Sequence, residues 1–297
     1  MESRFKSLSI FEFQAQFPDE RSCLAHLSEL KWAGGFKCRY CDHGNFCAGE
    51  RPFDRQCTSC NYTESPTAHT VFHKVKFPLL KAFWIVYYLS STKKGMASTE
   101  LSRKLELRQK TCWLFKRKVM RAMKSSGNHP MQGTVEVDEA VIGGQEEHVR
   151  GRANRKKRLV VFAIERKGKG VSRMYGKVIT SAHAKNLGAF MKQTIDTKAK
   201  VRTDGWTGYA PTKKTFRSLR QEKAQPKGRN FKEMHRIIMN FKGWLRGVHH
   251  HARHLQAYVD EYSFRFNRSF MKEGVFQNLI DRMMRTEPCP YKSLING

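Results

Sequence analysis

The sequence has no long uninterrupted run of apolar residues, and its charged N-terminus lacks an apolar core. A membrane-spanning helix needs about 18 or more consecutive apolar residues, and a secretory signal needs a shorter apolar segment near its start. Internal repeats and long low-complexity tracts are also absent. We therefore expect a cytoplasmic protein that does not bind a membrane.

Acidic residues are few compared with basic ones. The 297-residue chain has 26 Asp and Glu against 56 Lys and Arg, a formal net charge of +30. A positive field of this size favours a polyanion, and a nucleic acid is the better candidate partner. A ribosomal or histone-like protein would share this charge, so composition alone does not separate an enzyme from a binding protein. The length suggests about two domains and a small module.

Disulfide bonds are not expected in a reducing compartment, so the eight cysteines should be metal ligands or free thiols. Cys38-x2-Cys41 and Cys57-x2-Cys60 are separated by 15 residues. Each pair can lie on a tight turn, and two such turns supply four thiolates in a tetrahedron around Zn²⁺. The spacing predicts a zinc ribbon in residues 1–65, with a structural zinc ion.

Two cysteines of the same region, Cys23 and Cys47, fall outside this spacing and are expected to be ordinary thiols. Several cations of the ribbon could help it to contact DNA, namely Lys37, Arg39, Arg51 and Arg55. The alternative is a ribbon that only holds two domains together.

Residues 76–124 are predicted to be a helical module, in which residues 96–123 form a helix, a short turn and a second helix. The second helix has an apolar stripe at helical spacing, formed by Cys112, Phe115, Val119 and Ala122. Basic residues occupy its remaining surface, among them Lys116, Arg117 and Arg121. A basic helix behind a turn is typical of helix-turn-helix DNA binding, whereas a solvated basic face is the alternative.

Residues 132–270 change to an α/β pattern after the polar linker at 124–130. The predicted strands lie at 134–138, 159–164, 171–179 and 199–203, with a further possible strand near 216–220. The predicted helices lie near 183–195, 231–247 and 253–267. This order indicates a mixed sheet with flanking helices. Residues 271–297 are a tail without an assignment.

Two aspartates stand at predicted strand ends, Asp138 after Val137 and Asp204 after Thr203. Carboxylates at the ends of neighbouring strands can converge on one point. There they could bridge two Mg²⁺ ions about 4 Å apart, which stabilise the attacking and leaving oxygens at a phosphate. Either aspartate alone could instead be a helix cap or a turn former.

The chain also resembles a known family in four motifs. They are Val137-Asp138-Glu139 with Gly143-Gly144, Thr203-Asp204-Gly205-Trp206-Thr207-Gly208-Tyr209, His235-x4-Asn240-Phe241-Lys242-Gly243-Trp244-Leu245, and Tyr258-Val259-Asp260-Glu261-Tyr262 leading into Phe264-Arg265-Phe266-Asn267-Arg268. Over roughly residues 20–270 the sequence resembles bacterial insertion-sequence transposases with an N-terminal zinc ribbon. The resemblance implies an RNase H-like domain of the DDE type, hydrolysis at element ends, and transfer of the 3′ hydroxyl into target DNA.

The third catalytic position departs from the general family pattern. Asp204 and Asn240 are separated by 35 residues, the spacing to the catalytic Glu of many such enzymes. The resemblance implies Asn240 here with Lys242 nearby, yet on a helix Lys242 points about 160° away from Asn240. Glu233 or Glu261 could supply the carboxylate instead, or Asn240 could only bond the backbone.

A basic run lies between the first two predicted strands and is well placed to bind phosphates. Its cations are Arg150, Arg152, Arg155, Lys156, Lys157 and Arg158. Trp206 and Tyr209 could stack on a splayed base, although core packing is favoured. The histidines at 249–251 and 254 lack acidic or thiol neighbours, which disfavours a metal site there.

Taken together, these patterns predict a Mg²⁺-dependent transposase that binds element ends and target DNA. Synapsis of two DNA ends would require at least a dimer, by analogy. One alternative is a zinc-ribbon transcription regulator without catalysis, and the other is an inactive transposase relic, suggested by Asn240. The paired aspartates favour the enzyme, because a pure binder has no use for two carboxylates facing a phosphate.

Overall fold

The computed structural model describes residues 7–92, 94–143, 157–223, 225–249 and 254–295. Its helices are α1 (Ile10–Gln16), α2 (Glu20–Lys31), α3 (Leu79–Ser91), α4 (Ser98–Leu105), α5 (Gln109–Met123), α6 (Ala184–Thr194), α7 (Lys232–Val248), α8 (Leu255–Asn267), α9 (Gly274–Arg285) and α10 (Tyr291–Ile295). Its strands are β1 (Phe46–Ala48), β2 (Arg55–Cys57), β3 (Thr63–Glu64), β4 (Thr134–Ile142), β5 (Arg158–Lys167), β6 (Gly170–Ile179), β7 (Lys200–Thr203) and β8 (Arg220–Gln221). Of the helices described, none combines the length and the apolar character needed to cross a membrane.

The chain divides into two compact units. The first consists of Met1–Met123 together with Phe270–Gly297, and the second is Lys124–Ser269. The segment that the sequence leaves unassigned therefore belongs to the first unit. There Phe276 of α9 packs edge-on against Phe13 of α1, with ring centroids 5.5 Å apart. The core of the first unit is thus built from both ends of the sequence.

The first unit begins with a helix whose start is fixed by a reciprocal cap. The N–H of Glu12 donates to the Ser9 hydroxyl at 3.1 Å, and the N–H of Ser9 donates to the Glu12 carboxylate at 2.9 Å. Such a cap satisfies backbone donors that a helix start leaves without partners. Further along, β1, β2 and β3 form a small antiparallel sheet in that order.

The helical pair predicted near residues 96–123 is present as α4 and α5. The turn between them contains Glu106 with a φ of 52°, which ends α4 in the left-handed region. The stripe predicted on α5 is buried, with Cys112, Phe115, Val119 and Ala122 all inside the unit. The predicted helix, short turn and second helix are therefore present, and their role in DNA binding stays a prediction.

The second unit is built around a five-stranded sheet of order β6-β5-β4-β7-β8. β5 pairs antiparallel with both β4 and β6. On the other side of β4, β7 runs parallel to β4, and β8 runs parallel to β7. The predicted α/β fold with a mixed sheet is confirmed. The last strand is shorter than the prediction near 216–220, because Phe216 and Leu219 are buried in the core instead of lying on a strand.

The two faces of this sheet are covered by different helices. Leu187 and Phe190 of α6 share a core cluster with Val135 and Val137 of β4. On the other face, Phe241 of α7 packs against Phe162 of β5, with ring centroids 5.4 Å apart.

α8 closes the outer edge of the sheet at β6. The Asn267 side chain accepts from the N–H of Met174 at 2.8 Å and donates to its carbonyl at 2.9 Å. A Cβ at Gly176 would lie 2.7 Å from Val259, so the glycine lets α8 approach β6 closely. Asn267 of the fourth motif therefore satisfies an exposed strand edge, which could otherwise pair with another chain.

Candidate active site and metal centre

The four cysteines predicted to bind zinc lie together in the first unit. Their sulfur atoms are all within 4.8 Å of one another, and the Cys38–Cys60 and Cys41–Cys57 sulfur pairs are 3.6 Å apart. Four sulfurs about 2.3 Å from a common tetrahedral centre would be about 3.8 Å apart, so these residues fit a single metal ion. In the described part of the chain, no other group of Cys, His, Asp or Glu ligands gathers in this way.

Both cysteine pairs lie on the same kind of backbone turn. The N–H of Asp42 donates to the Cys38 carbonyl at 2.9 Å, and the N–H of Asn61 donates to the Cys57 carbonyl at 3.0 Å. Asp42 and Asn61 have φ values of 61° and 60°, a region that Asp and Asn tolerate better than most residues. Two matching turns therefore present the four sulfurs, as the paired spacing requires.

Two of the α5 cations predicted to contact DNA are buried in the first unit. Lys116 is 4% exposed and donates to the Met96 carbonyl at 2.7 Å. Arg117 is 8% exposed and donates to the Leu294 carbonyl at 3.5 Å. Arg121 is exposed. The prediction that Lys116 and Arg117 contact DNA is corrected by this burial, because their charged ends bond inside the unit.

Of the two aspartates of the second unit, Asp138 is on β4 and Asp204 directly follows β7, the strand that runs parallel to β4. β4 continues past Asp138 to Ile142, so the expectation that Asp138 ends its strand is wrong. The parallel partner β7 instead ends at Thr203, which is paired with Val137. Asp138 and Asp204 each follow one residue of this last pair, and the two paired strands lie about 4.8 Å apart.

Strand alternation also places the two aspartates on one face of the sheet. Val137 packs into the core cluster below α6, and its register partner Thr203 is fully buried. Asp138, which follows Val137 on β4, therefore points to the opposite face, which α7 covers, and Asp204 is expected there because it follows Thr203. On that face His235 of α7 has its Nε2 atom 3.9 Å from Oδ2 of Asp138. His235 stands in the third motif, but sequence reasoning gave it no role.

Backbone donors orient both carboxylates. Oδ1 of Asp138 accepts from the N–H of Glu139 at 2.8 Å, and Oδ1 of Asp204 accepts from the N–H of Trp206 at 3.1 Å. Both aspartates are half-buried, so solvent reaches them. Hard carboxylate oxygens are the ligands that Mg²⁺ prefers, and two of them on one face fit a divalent ion that keeps several waters.

The Tyr209 hydroxyl contacts β4 from the α6 face. Tyr209 is fully buried and donates to the Glu139 carboxylate at 2.8 Å. Burial raises the pKa of Tyr209 well above its ordinary value, and the nearby carboxylates add to the shift, so the hydroxyl remains a neutral donor. The ring of Tyr209 belongs to the core cluster, in agreement with the core packing that the sequence favours for this residue.

Trp206 has a comparable structural role beside Asp204. Its Nε1 donates to the Ala182 carbonyl at 2.8 Å. A Cβ at Gly208 would lie 2.4 Å from that oxygen, so this contact requires glycine at the sixth position of the second motif. The motif thus fixes the chain immediately after Asp204.

A buried ion-pair network lies on the face of the sheet that α7 covers. Its two central residues, Glu136 and Arg202, come two residues before Asp138 and Asp204. Glu136 is 1% exposed, and its Oε1 is 3.1 Å from Arg202 and 3.6 Å from Arg166. Arg202 also donates to both oxygens of Glu222 at 2.9 Å and to the Asn230 carbonyl at 3.2 Å. Burial raises the pKa of Glu136, while the two arginines oppose the shift. Sequence reasoning gave none of these residues a role.

The candidates for the third position differ in accessibility. Asn240 is on the exposed face of α7, away from the buried stripe of Met234, Ile237, Ile238, Phe241 and Leu245. Glu261 is fully buried, 2.8 Å from Arg265 and 3.4 Å from Nε2 of His249. Glu233 is ion-paired with Arg236. Asn240 is therefore the most exposed of the three.

Most of the basic run lies outside the described residues, including Arg150, Arg152, Arg155 and Lys156. Lys157 is half-buried, and Arg158 is exposed at the start of β5. Within the described residues, the run thus contributes an exposed cation on the strand next to β4.

Comparison with known proteins gives one family match. Residues 130–267 match the family model described as the ISXO2-like transposase domain. None of the curated proteins is significantly similar to the chain. Among solved structures, a chain of the pre-cleavage Mos1 transpososome is 13% identical, with 68% of this chain and 78% of that chain covered and a TM-score of 0.22. That TM-score is too low for the structural likeness to support an inference.

Proposed function

Because residues 130–267 match the model of the ISXO2-like transposase domain, we propose that the chain is a DNA transposase that cleaves element ends and transfers the freed 3′ hydroxyl into target DNA. The observation that carries this proposal is the register of β4 and β7, in which Asp138 and Asp204 directly follow the last pair, Val137 and Thr203. A transcription regulator without catalysis would have no use for this pair, so that alternative is not favoured.

We infer that the catalytic domain is RNase H-like and uses Mg²⁺. The sheet order, with three antiparallel strands followed by two parallel ones, supports this class. Asp138 and Asp204 would hold the ions, which when bound stabilise charge on the attacking and leaving oxygens. Asn240 would add an amide oxygen as a ligand, but an amide cannot take up a proton. The third ligand therefore differs from a carboxylate in charge and in basicity.

DNA is the proposed partner of both units. Arg158 beside the candidate active site and the exposed cations of the ribbon and α5 would bind phosphates. These cations include Lys37, Arg39, Lys110 and Arg121. We also propose that the protein acts as at least a dimer during synapsis, since two element ends must be held together.

Cleavage and joining of labelled element-end DNA with Mg²⁺ or Mn²⁺ tests the function, and Asn240 variants test the third ligand. Asn240→Ala should lower the rate by about 10–100-fold or more, a range seen when groups that support a metal site are removed. Asn240→Asp should retain more activity, because it restores an oxygen ligand. Met239→Ala is the matched control, since Met239 is an exposed neighbour on α7 and should cut like the parent.

Two results would contradict these assignments. Asn240→Ala cutting as fast as Asn240→Asp would remove Asn240 from the metal site. A parent protein that binds element ends and never cuts them would favour the regulator or the inactive relic.

The cysteine cluster is proposed to hold structural zinc. Cys57→Ser should lose the metal, as measured by elemental analysis of the purified protein, because three remaining thiolates cannot complete the tetrahedron. Cys47→Ser is the matched control, since Cys47 is outside the cluster and this variant should keep its full zinc content. Metal loss should unfold the ribbon and leave the second unit folded. Full zinc content in Cys57→Ser would disprove the assignment.

A further inference from the structure

We propose that Arg202 is a positioning residue for the catalytic aspartates, because a single guanidinium joins the strands and loops that carry the predicted metal ligands. The inference rests on the proposed function, since it takes Asp138 and Asp204 as the metal-binding pair. Neither the family match nor the motifs assign Arg202 a role.

The first part of the argument is register. Glu136 of β4 and Arg202 of β7 are direct partners in the register of the two strands. Glu136 lies two residues before Asp138, and Arg202 lies two residues before Asp204. Side chains repeat on the same face every second residue, so the ion pair lies on the aspartate face. The Arg202–Glu136 distance is 3.1 Å, and the Glu136 side chain is 2% exposed. The pair therefore ties the two strands together immediately before the aspartates.

The short length of β7 makes this tie important. β7 is four residues long and pairs with β4 at four positions, from Lys200 to Thr203. A one-residue slip of a strand turns its side chains to the other face, which would remove Asp204 from the side of Asp138. A buried ion pair across the two strands opposes such a slip, because the displaced arginine would leave a buried carboxylate behind.

The second part of the argument is the reach of Arg202 beyond β7. Its guanidinium donates to both oxygens of Glu222, just after β8, and to the carbonyl of Asn230, just before α7. α7 carries His235 and the predicted third ligand Asn240. An arginine has five donors in a rigid fork and can satisfy these partners together, which the point charge of lysine cannot do.

Arg166 provides a matched control inside the same network. It approaches the same Glu136 oxygen at 3.6 Å from β5, on the other side of β4. Its side chain is 25% exposed, compared with 29% for Arg202. Arg166 has the same charge and a similar exposure, but it is not on the strand that leads to Asp204. If Arg202 acts by position, removing Arg166 should have a much smaller effect on the metal site.

The test measures Mn²⁺ binding to the full-length protein by electron paramagnetic resonance, and amide hydrogen exchange of peptides that cover β7 and the start of α7. Arg202→Gln should weaken Mn²⁺ binding by up to about 10–100-fold, the range for groups that support a metal site, and should speed exchange in both peptides. Arg166→Gln should change the affinity by about threefold at most, below the range for such partners. Arg202→Lys should fall between Arg202→Gln and the parent.

A second variant distinguishes loss of positioning from unfolding, since Arg202→Gln leaves the buried charge of Glu136 without this partner. Glu136→Gln combined with Arg202→Gln removes both charges, which is better tolerated than removing one, and it should show the same loss of Mn²⁺ affinity. Equal Mn²⁺ affinity in the double variant and the parent, or equal weakening in Arg166→Gln and Arg202→Gln, would overturn the positioning role. If the parent binds no Mn²⁺, or if its Mn²⁺ affinity is unchanged by Asp138→Ala, the proposed function itself would be overturned.

Discussion

Replacing Asp138 or Asp204 with alanine should abolish strand cleavage and strand joining, while binding of element-end DNA stays within a few-fold of the parent. Each variant removes a ligand from the proposed metal pair and exposes the charge that develops on the phosphate. A loss of about 4 kcal/mol of transition-state stabilisation corresponds to a rate about 10³-fold lower. Binding should survive, because the phosphate contacts proposed for the first unit do not involve either aspartate.

Asp196→Ala is the matched control for these variants. Asp196 also belongs to the second unit, where its carboxylate accepts from the N–H of Lys198 at 2.9 Å in the turn before β7. Its loss should leave cleavage close to that of the parent. Rates are measured on labelled element-end DNA with Mg²⁺ and again with Mn²⁺. Asp138→Ala and Asp204→Ala proteins that cut as well as the parent would refute the catalytic assignment.

DNA affinity should fall by about 10³–10⁵ between about 50 and 200 mM salt, if the protein makes roughly six to ten phosphate contacts. The physical reason is that lysines and arginines displace counterions condensed on the phosphates, and added salt opposes their release. A formal charge of +30 makes this the second large effect expected for the protein. The measurement is a series of binding titrations on element-end DNA at increasing salt.

The accessibility of individual cations refines the salt prediction. Arg158 is exposed, so Arg158→Gln should reduce the magnitude of the logarithmic salt slope by about 0.9 if it binds one phosphate. Lys116 is buried against Met96, so Lys116→Gln should leave the slope unchanged. A salt profile that is flat in the parent would indicate a partner other than DNA. A smaller slope in Lys116→Gln would mean that this side chain reaches a phosphate after all.

The sequence was informative where a pattern is local. Alternation and apolar runs predict β4, β5, β6 and β7, and the helix predicted near 231–247 is present as α7. The prediction that this strand ends at Asp138 is wrong. Asp138 and Glu139 interrupt the alternation of the sequence, yet β4 pairs with β5 as far as Ile142. The register of β4 with β7 is what brings the position of Asp138 next to the end of β7, and a strand's partner cannot be read from its own residues.

The remaining errors and omissions come from contacts between distant parts of the chain. Arg117 is buried because its guanidinium meets the carbonyl of Leu294, which follows it by 177 residues. The pairing of Glu136 with Arg202 spans 66 residues, and no spacing rule links such positions. The charges on α5 and in β7 were visible in the sequence, but their burial depends on tertiary structure.

The composite nature of the first unit also has a consequence for biosynthesis. Phe276 packs against Phe13, Phe17 and Phe83, yet it is translated only after the whole second unit. At about 5–20 residues per second, roughly 7–30 s separate the emergence of residue 124 from that of residue 269. A nascent chain can therefore complete the unit with the candidate active site while the other unit still lacks α9. The DNA contacts proposed for the first unit should thus form only after α9 has been translated, and therefore later than the fold of the second unit.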